Sequence, residues 1–246
     1  MRAMRHFLNR LSFHVFGGVC ILCDRTTRRA LDLCEACERD LPFILRRCEC
    51  CSLPLDSLEH CRSCTTTTFA FDTAYCHFVY RTPVDRLISD FKTRGRQIYG
   101  HVLAECAASG WSSYAHSRPE VLIPVPLTRR KRRQRGFNQA DEVASVLGSR
   151  LGLPVRRDLA RRRFEVDAQK GLGRDARQRN LRGVFGINGQ VQGCHLAIVD
   201  DVVTTGATAS ELARALKQAG ARQVDVVGLA RTPQRGPPSD PAAPIP

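Results

Sequence analysis

The stretch that decides the fold reads Leu-Ala-Ile-Val-Asp-Asp-Val-Val-Thr-Thr-Gly-Ala-Thr, from Leu196 to Thr208. Its four leading apolar residues predict a short buried strand, and two carboxylates, Asp200 and Asp201, follow at the end of that strand. A turn of small and hydroxyl residues then leads into an apolar-periodic helix, which ends before Gly220, and a further apolar run predicts the next strand. Such strand–turn–helix units are common in α/β domains with parallel sheets.

The turn between this strand and this helix suits a phosphate group. Backbone N–H groups at a helix N-terminus lack partners and lie at the positive end of the helix dipole. Threonine hydroxyls add donors, and Gly206 lets the backbone approach a ligand closely. The neighbouring acid pair can bind a vicinal diol or help to hold a magnesium ion. Together these features describe a sugar-phosphate site, against the plainer alternative of a βα turn with an acidic N-terminal cap.

The order of these residues resembles the phosphoribosyl pyrophosphate (PRPP) motif of type I phosphoribosyltransferases. The resemblance implies that the loop holds the 5-phosphate of PRPP. It also implies that Asp200 and Asp201, as catalytic residues, take the ribose hydroxyls. The PRPP-binding residues implied in this way are Thr204, Thr205, Gly206, Ala207 and Thr208.

The composition fits a globular protein with one sizeable domain and a smaller module, since the chain has 246 residues of which 43% are hydrophobic. No apolar run approaches the roughly 20 residues that span a bilayer, so we expect no stable membrane insertion. In the basic segment 1–19, polar residues interrupt the apolar ones, which favours a short amphipathic helix over a signal peptide. We therefore expect a cytoplasmic protein.

The chain has 12 cysteines, and eight of them form four Cys-x-x-Cys knuckles. Each knuckle directs two thiolates at one ion, and two knuckles complete a closed, structural site for zinc. We predict two structural zinc ions rather than disulfides or redox-active pairs, because the spacing is typical of metal sites and no export signal is evident. The predicted metal ligands are Cys20, Cys23, Cys34, Cys37, Cys48, Cys51, Cys61 and Cys64.

The knuckles can pair in sequential or in cross-braced order. Short gaps within each pair favour sequential pairing. Cys50 lies inside the third knuckle and could replace a neighbour as a ligand, but the spacing favours Cys48 and Cys51. The remaining cysteines, Cys76, Cys106 and Cys194, are predicted to be small core residues. The formal net charge is +14, and two zinc–tetrathiolate centres would lower it to roughly +10, so the protein remains strongly basic.

A run of six cations in seven residues, 129–135, follows a strand predicted at 121–125. This run is predicted to be a loop, and it has two compatible interpretations. It is either a solvated or nucleic-acid-binding patch, or a pyrophosphate-binding loop at the carboxyl edge of the sheet, where ligands bind in α/β folds. Under the second interpretation, Arg129 and Arg130 are the candidate pyrophosphate contacts.

Two further patterns narrow the family. Residues 124–140 read Pro-Val-Pro-Leu, then arginines, then Arg-Gly-Phe-Asn-Gln-Ala, and a later segment carries Gln169, Leu172, Arg177, Asn180, Gly183 and Phe185. With the cysteine knuckles, these patterns resemble the ComF group of competence-associated proteins, over about residues 20–231. The resemblance includes residues 87–95, where Lys92 and Arg94 are candidate anion contacts; the alternative there is a solvated helix end.

The resemblance implies an α/β protein of the phosphoribosyltransferase type I fold, with a mostly parallel sheet and a small N-terminal cysteine-rich zinc-ribbon module. The implied organisation is a basic N-terminal segment (1–19), a double zinc-ribbon module (20–68), a phosphoribosyltransferase-like domain (69–231) and a disordered, proline-rich tail (232–246). The Arg-, Gln- and Gly-rich stretch 156–182 is a candidate hood over the reacting carbon, or alternatively a strand pair that faces nucleic acid.

Two functions of different class are consistent with these features. The first is a phosphoribosyltransferase, a pentosyl glycosyltransferase that uses PRPP and magnesium and transfers phosphoribose to an unidentified acceptor. The second is a non-catalytic, PRPP-sensing competence factor that binds single-stranded DNA. The resemblance implies DNA uptake and natural transformation under both, with a protein of the competence machinery as a further partner. A purely structural zinc-ribbon adaptor leaves the 196–208 motif unexplained.

Overall fold

The computed structural model describes residues 17–55, 61–114, 118–164 and 182–233. Within these ranges the strands are β1 (Gly18–Val19), β2 (Thr26–Thr27), β3 (Ala74–Val79), β4 (Val121–Pro124), β5 (Ala160–Arg162), β6 (Phe185–Ile187), β7 (His195–Val203) and β8 (Gln223–Arg231). The helices are α1 (Glu35–Arg39), α2 (Arg62–Thr66), α3 (Val84–Arg94), α4 (Gln97–Tyr114), α5 (Arg129–Arg135), α6 (Gln139–Leu151) and α7 (Ala207–Gln218).

Four strands form a parallel sheet in the order β3-β8-β7-β4. The strand β7 lies between β8 and β4, where Ile198 is paired with Val226 on one side and with Ile123 on the other. The predicted α/β class, with a mostly parallel sheet and a small cysteine-rich module before it, is confirmed. Because all four strands run in the same direction, the segments that follow β4 and β7 leave from the same edge of the sheet.

Both faces of this sheet are covered. Ala197 and Val199 of β7 pack on the face that α3, α4 and α6 cover, whereas Leu196 and Ile198 pack on the face that α7 covers. A strand buried on both faces needs a continuous apolar run rather than an alternating one. This requirement explains why β7 begins with four apolar residues.

In residues 196–208, the end of the strand and the start of the helix both differ from the prediction. Asp200 and Asp201 lie inside β7 and not at its end, because the ladder with β8 continues to Val203. The turn is correspondingly short, and Ala207 and Thr208 belong to the first turn of α7. The helix ends as predicted, with Gly220 just beyond it at φ +101°.

The N-terminal module joins the sheet at its β3 edge. Ile44 N–H donates to the His77 carbonyl at 2.9 Å, and Val79 N–H donates to the Pro42 carbonyl at 2.7 Å. Ser52 adds a side-chain contact, since its Oγ accepts from the Cys76 N–H at 2.7 Å. The module is therefore held to β3 by backbone hydrogen bonds.

Three of the predicted segments lie wholly or mostly outside the described residues: the amphipathic N-terminal segment, the proline-rich tail and most of the candidate hood, including Gln169, Leu172, Arg177 and Asn180. The described part of the candidate hood includes β5, which pairs in antiparallel fashion with β6, just after the hood. Among the described residues, no helix combines the length and apolar character that crossing a membrane requires.

His77 on β3 gives a pH-dependent prediction. Burial, and then the charge of Arg47, lower the pKa of His77 to about 4 from its usual 6.5. As the pH falls from 6.5 towards 4, the unfolded chain takes up a proton that the folded protein does not, so stability falls. From pH 7 to pH 5, the free energy of unfolding should fall by about 2 kcal/mol more in the wild type than in His77→Asn. Denaturant unfolding at both pH values measures this difference. Equal losses would contradict this assignment.

Candidate functional site

The acid pair is fixed near the carboxyl end of β7, in the interior of the sheet. Asp201 is buried, and its Oδ1 accepts from the Val202 N–H at 2.7 Å. The same oxygen lies 3.0 Å from Nζ of Lys92. Asp200 Oδ1 accepts from the Asp201 N–H at 2.9 Å. The strand backbone therefore determines where both carboxylates stand.

The carboxylates of Asp200 and Asp201 repel each other at a poorly hydrated site. Burial, and then the charge of Asp201, raise the pKa of Asp200 to about 8, although Lys92 opposes this rise. The ligand-free site therefore favours the protonated form of Asp200 more than an isolated carboxyl group does. A divalent cation can replace such a proton and remove the repulsion, and magnesium sites commonly use one or two carboxylates together with substrate phosphates. The donor set therefore fits a magnesium ion.

The two candidate cations of α3 have different surroundings. Lys92 is partly buried and paired with Asp201, so it belongs to the acid pair. Arg94 is exposed, and its guanidinium pairs with Asp90 on the same helix at 3.4 Å. Arg94 therefore matches the alternative interpretation of a solvated helix end, whereas Lys92 does not.

We use the name phosphate loop for residues 204–208, which comprise the connection Thr204–Gly206 between β7 and α7 and the first two residues of α7. Gly206 caps the helix at φ +78°, and it has no side chain that could occupy the N–H groups of the first turn. Thr205 Oγ1 accepts from the Ala207 N–H at 3.3 Å. Thr204 is exposed. The arrangement leaves backbone donors and threonine hydroxyls at one helix N-terminus, as phosphate binding requires.

Two residues behind the loop were not predicted from the sequence. The ring of Phe69 lies against Gly206, since a Cβ on that glycine would meet Phe69 Cε1 at 2.9 Å. Arg231, at the end of β8, is only 2% exposed and donates through Nη1 to the carbonyls of Val203 and Thr204. The one local signal for Arg231 is a cation that ends an apolar run, and its partners are distant in sequence.

The arginine-rich run is a helix, α5, and the prediction of a loop is wrong. Thr128 caps the helix by accepting from the Lys131 N–H, and Gly136 ends it in the left-handed region at φ +79°. Arginine has a high helix propensity, and with caps at both ends this outweighs the repulsion between neighbouring cations. Arg129 and Arg130 are exposed at the start of the helix. No contact of either residue with the acid pair is recorded in the described residues.

Arg129 instead lines a cavity of about 830 Å³ between α5, β5 and the carboxyl end of β4. Asn138, Phe164 and Asn188 also line this cavity. The arginines at its wall are Arg129, Arg132, Arg157, Arg161, Arg162 and Arg163. We refer to it as the arginine cleft. Two carboxylates, Asp141 and Asp158, also line the cleft, so its six arginines give it a net positive charge that suits a polyanion. Phe164, 49% exposed, offers a stacking surface.

The eight knuckle cysteines form two clusters in sequential order. Within each cluster the sulfur atoms all lie within 4.8 Å of one another. The first cluster is Cys20, Cys23, Cys34 and Cys37, and the second is Cys48, Cys51, Cys61 and Cys64. In the second cluster, Cys48 and Cys64 are 3.6 Å apart and Cys51 and Cys61 are 3.5 Å apart. Tetrahedral Zn–S bonds of about 2.3 Å imply S···S separations of about 3.8 Å, so both clusters fit closed zinc sites.

The other cysteines mostly follow the prediction. Cys76 and Cys106 are buried in the core, whereas Cys194 is only half-buried, at the turn before β7. Cys50 lies beside the second cluster but is not one of its four sulfur atoms. Cys194 therefore meets the prediction of a core position only in part, since it is half-buried and packs against the core.

Solved structures that the chain is similar to are phosphoribosyltransferases and related proteins. A purine phosphoribosyltransferase from Pyrococcus horikoshii is 21% identical, with a TM-score of 0.32 over 52% of this chain and 70% of that chain. The glutamine PRPP amidotransferase of B. subtilis is 18% identical, with a TM-score of 0.35 over 52% of this chain and 26% of that chain.

The sequence comparisons cover nearly the whole chain. A family model described as a double zinc ribbon domain matches residues 13–65. Competence protein F of Haemophilus influenzae is 28% identical over 88% of this chain and 98% of that protein. The DNA utilization protein YhgH of Salmonella typhimurium is 32% identical over 87% of this chain and 91% of that protein. With the two cysteine clusters preceding the parallel sheet, this chain belongs to the ComF family of competence and DNA utilization proteins.

Proposed function

We propose that this chain binds PRPP together with magnesium, and that it acts in the handling of DNA during uptake or use. One observation carries the proposal: a fixed acid pair is followed, in one strand–loop–helix unit, by a threonine-rich helix N-terminus whose N-cap, Gly206, has no side chain. In this assignment the 5-phosphate binds at 204–208, and the carboxylates of Asp200 and Asp201 take the ribose hydroxyls. We assign the DNA role because similar proteins are named for competence and DNA utilization.

The chemistry that this site supports is displacement at the anomeric carbon of PRPP. An acceptor lone pair forms a new bond to that carbon while the carbon–oxygen bond to pyrophosphate breaks, through a state with oxocarbenium character. The leaving group departs with its electron pair as pyrophosphate, and the acceptor loses its proton to solvent or to a base. Bound magnesium would neutralise the developing charge on pyrophosphate. Asp200 and Asp201 would orient the ribose, and Arg129 and Arg130 are the candidate protein contacts to the leaving group.

The acceptor is constrained by Thr204. Several purine-salvage relatives in the type I class carry a carboxylate two residues before the loop glycine, and that carboxylate handles the ring proton of the base. This chain has Thr204 there, and a hydroxyl does not perform that proton transfer at neutral pH. We therefore expect no turnover with free purine bases.

Release of pyrophosphate from PRPP is the experiment that separates an enzyme from a PRPP sensor. Zinc-loaded full-length protein is incubated with PRPP and magnesium, with and without single-stranded DNA and a cell extract. Turnover above that of Asp200→Asn protein supports transfer. PRPP binding with no turnover under any condition supports a non-catalytic sensor.

A second function, binding of single-stranded DNA, is favoured by the arginine cleft. Four of its arginines (Arg129, Arg132, Arg161 and Arg163) are exposed, and none of them has an ion-pair partner in the described part of the chain. Unpaired guanidinium groups around an exposed aromatic ring match the phosphates and bases of a single strand. The formal charge of +14 favours the same ligand class.

This second function predicts a salt-dependent loss of DNA affinity in cleft variants. Changing both Arg161 and Arg163 to Ser should weaken binding of an unstructured oligonucleotide and reduce the slope of log K against log salt by about 1.4, or about 0.7 per lost phosphate contact. The matched control is Arg156→Ser, because Arg156 is exposed but already paired with Asp158 at 2.7 Å. Fluorescence anisotropy at four salt concentrations measures both slopes. Equal slopes for the cleft variant and the wild type would exclude the cleft as the DNA site.

We retain the predicted domain limits as part of this proposal. The zinc-ribbon module is assigned to 20–68 and the PRPP-binding domain to 69–231. The structural zinc ions belong to the module, and magnesium belongs to the domain that binds PRPP.

A further inference from the structure

The second cysteine cluster is connected to the phosphate loop by one buried side chain, Arg231. Its Nε donates to the carbonyl of Cys51, a member of that cluster, at 2.9 Å. Its Nη1 donates to the carbonyl of Val203 at 3.0 Å and also to that of Thr204, the first residue of the phosphate loop. One guanidinium thus fixes the backbone of both sites.

The charge of Arg231 needs compensation. It is fully buried, and within the described residues it forms no ion pair; its partners are neutral carbonyl groups. A buried cation without a counter-charge is strongly unfavourable. A zinc ion bound by four thiolates carries a charge of about −2, and Cys51 places such a centre next to Arg231. Zinc bound in the second cluster would therefore stabilise the buried charge of Arg231 electrostatically.

A second set of contacts joins the same two sites. Phe69 packs against the second cluster and stacks on Phe71 with ring centroids 4.7 Å apart, while its edge lies against Gly206. The next residue, Ala70, donates its N–H to Ser210 Oγ in the first turn of α7 at 3.0 Å. The loop therefore rests on the second cluster through side chains as well as through Arg231.

The first cluster lies elsewhere. Its cysteines pack with the core on the opposite face of the sheet, beside α4, where Glu38 meets Cys106 at 3.9 Å. In the described residues, no hydrogen bond or ring contact joins this cluster to residues 203–210. The two clusters therefore differ in their relation to the phosphate loop.

We propose that Arg231 is a positioning residue that transmits the state of the second zinc site to the phosphate loop, so that zinc in this site, but not in the first, sets the conformation of residues 204–208. The importance of that conformation for PRPP rests on the function proposed above. The coupling between the second zinc site and residues 204–208 does not depend on that function, because the coupling can be measured in ligand-free protein.

The first test changes Arg231. We expect Arg231→Met to retain two zinc ions per chain, while the loop amides 204–208 exchange with deuterium on the order of tenfold faster than in the wild type. Arg231→Lys keeps the charge but lacks the fork of donors, and it should give a smaller increase. The matched control is Arg222→Met, just before β8, an exposed arginine whose Nε donates to the Gly193 carbonyl and whose Nη2 lies 4.0 Å from Glu120. Unchanged loop exchange in a zinc-loaded Arg231→Lys or Arg231→Met protein would overturn the proposal.

The second test compares the two clusters. Cys64→Ser should release one zinc ion and speed exchange at 204–208, whereas Cys23→Ser should release one zinc ion and leave these amides unchanged. Equal effects of the two variants would overturn the proposed asymmetry. PRPP affinity is measured on the same proteins. If the wild type binds no PRPP but the exchange pattern holds, the proposed function fails and the coupling stands.

Discussion

We expect that replacing both Asp200 and Asp201 with Asn abolishes the thermal stabilisation that, under the proposed function, PRPP and magnesium give to the wild type. Both carboxylates are fixed by β7, so their loss would remove the proposed ligands for the ribose hydroxyls and for the metal together. A ligand present at 100 times its dissociation constant stabilises a protein by about 2.7 kcal/mol. The melting temperature with and without PRPP and magnesium measures this difference directly.

The control for this variant is the ligand-free protein. Because the pKa of Asp200 is raised to about 8, folded protein keeps a proton that the unfolded chain loses above its usual pKa near 4, and stability falls as pH rises between these values. Asp200→Asn cannot ionise, so ligand-free Asp200→Asn should be less sensitive to pH than the wild type over this range. Asp90→Asn, which removes the partner of Arg94 on the same helix but leaves the acid pair intact, should bind PRPP normally. Normal PRPP stabilisation of the double variant would contradict the site assignment.

Removing both zinc ions with a strong chelator unfolds the module and lowers the melting temperature of the whole chain. The second cluster has few apolar neighbours besides its own cysteines, Leu53, Leu55 and Phe69, so it has little core of its own. Structural zinc contributes on the order of 10 kcal/mol to the folding of small modules. Hydrogen exchange should report fast exchange over residues 17–55 after chelation and protection after zinc is restored.

Cysteine variants provide the matched comparison. Cys48→Ser should bind one zinc ion per chain, whereas Cys50→Ser, which changes a neighbour outside the cluster, should bind two. Elemental analysis of purified protein gives both numbers. One zinc ion in Cys50→Ser and two in Cys48→Ser would reverse the assignment of the third knuckle.

The features that could be predicted from the sequence have local signals. Four apolar residues before an acid pair predict a doubly buried strand, because only such a strand has no polar face. The knuckles could be grouped correctly because a Cys-x-x-Cys turn fixes two ligands within four residues. The place of Gly206 in the turn before the helix could also be predicted, and its φ of +78° is a conformation that glycine adopts at little cost.

The features that could not be predicted depend on partners far away in the chain. β7 continues through the acid pair because β8 offers a matching ladder, which no pattern within 196–203 indicates. The helix α5 was expected to be a loop because charge repulsion was given more weight than the caps at Thr128 and Gly136. Arg231 lies 180 residues from Cys51, and a contact over that distance leaves no sequence spacing to interpret.

Calorimetric titration of zinc-loaded, full-length wild type with PRPP in the presence of magnesium tests the central claim most directly. The account predicts one saturable site per chain, which disappears when magnesium is omitted and is competed by pyrophosphate. Absence of saturable binding by protein that holds both zinc ions would contradict it.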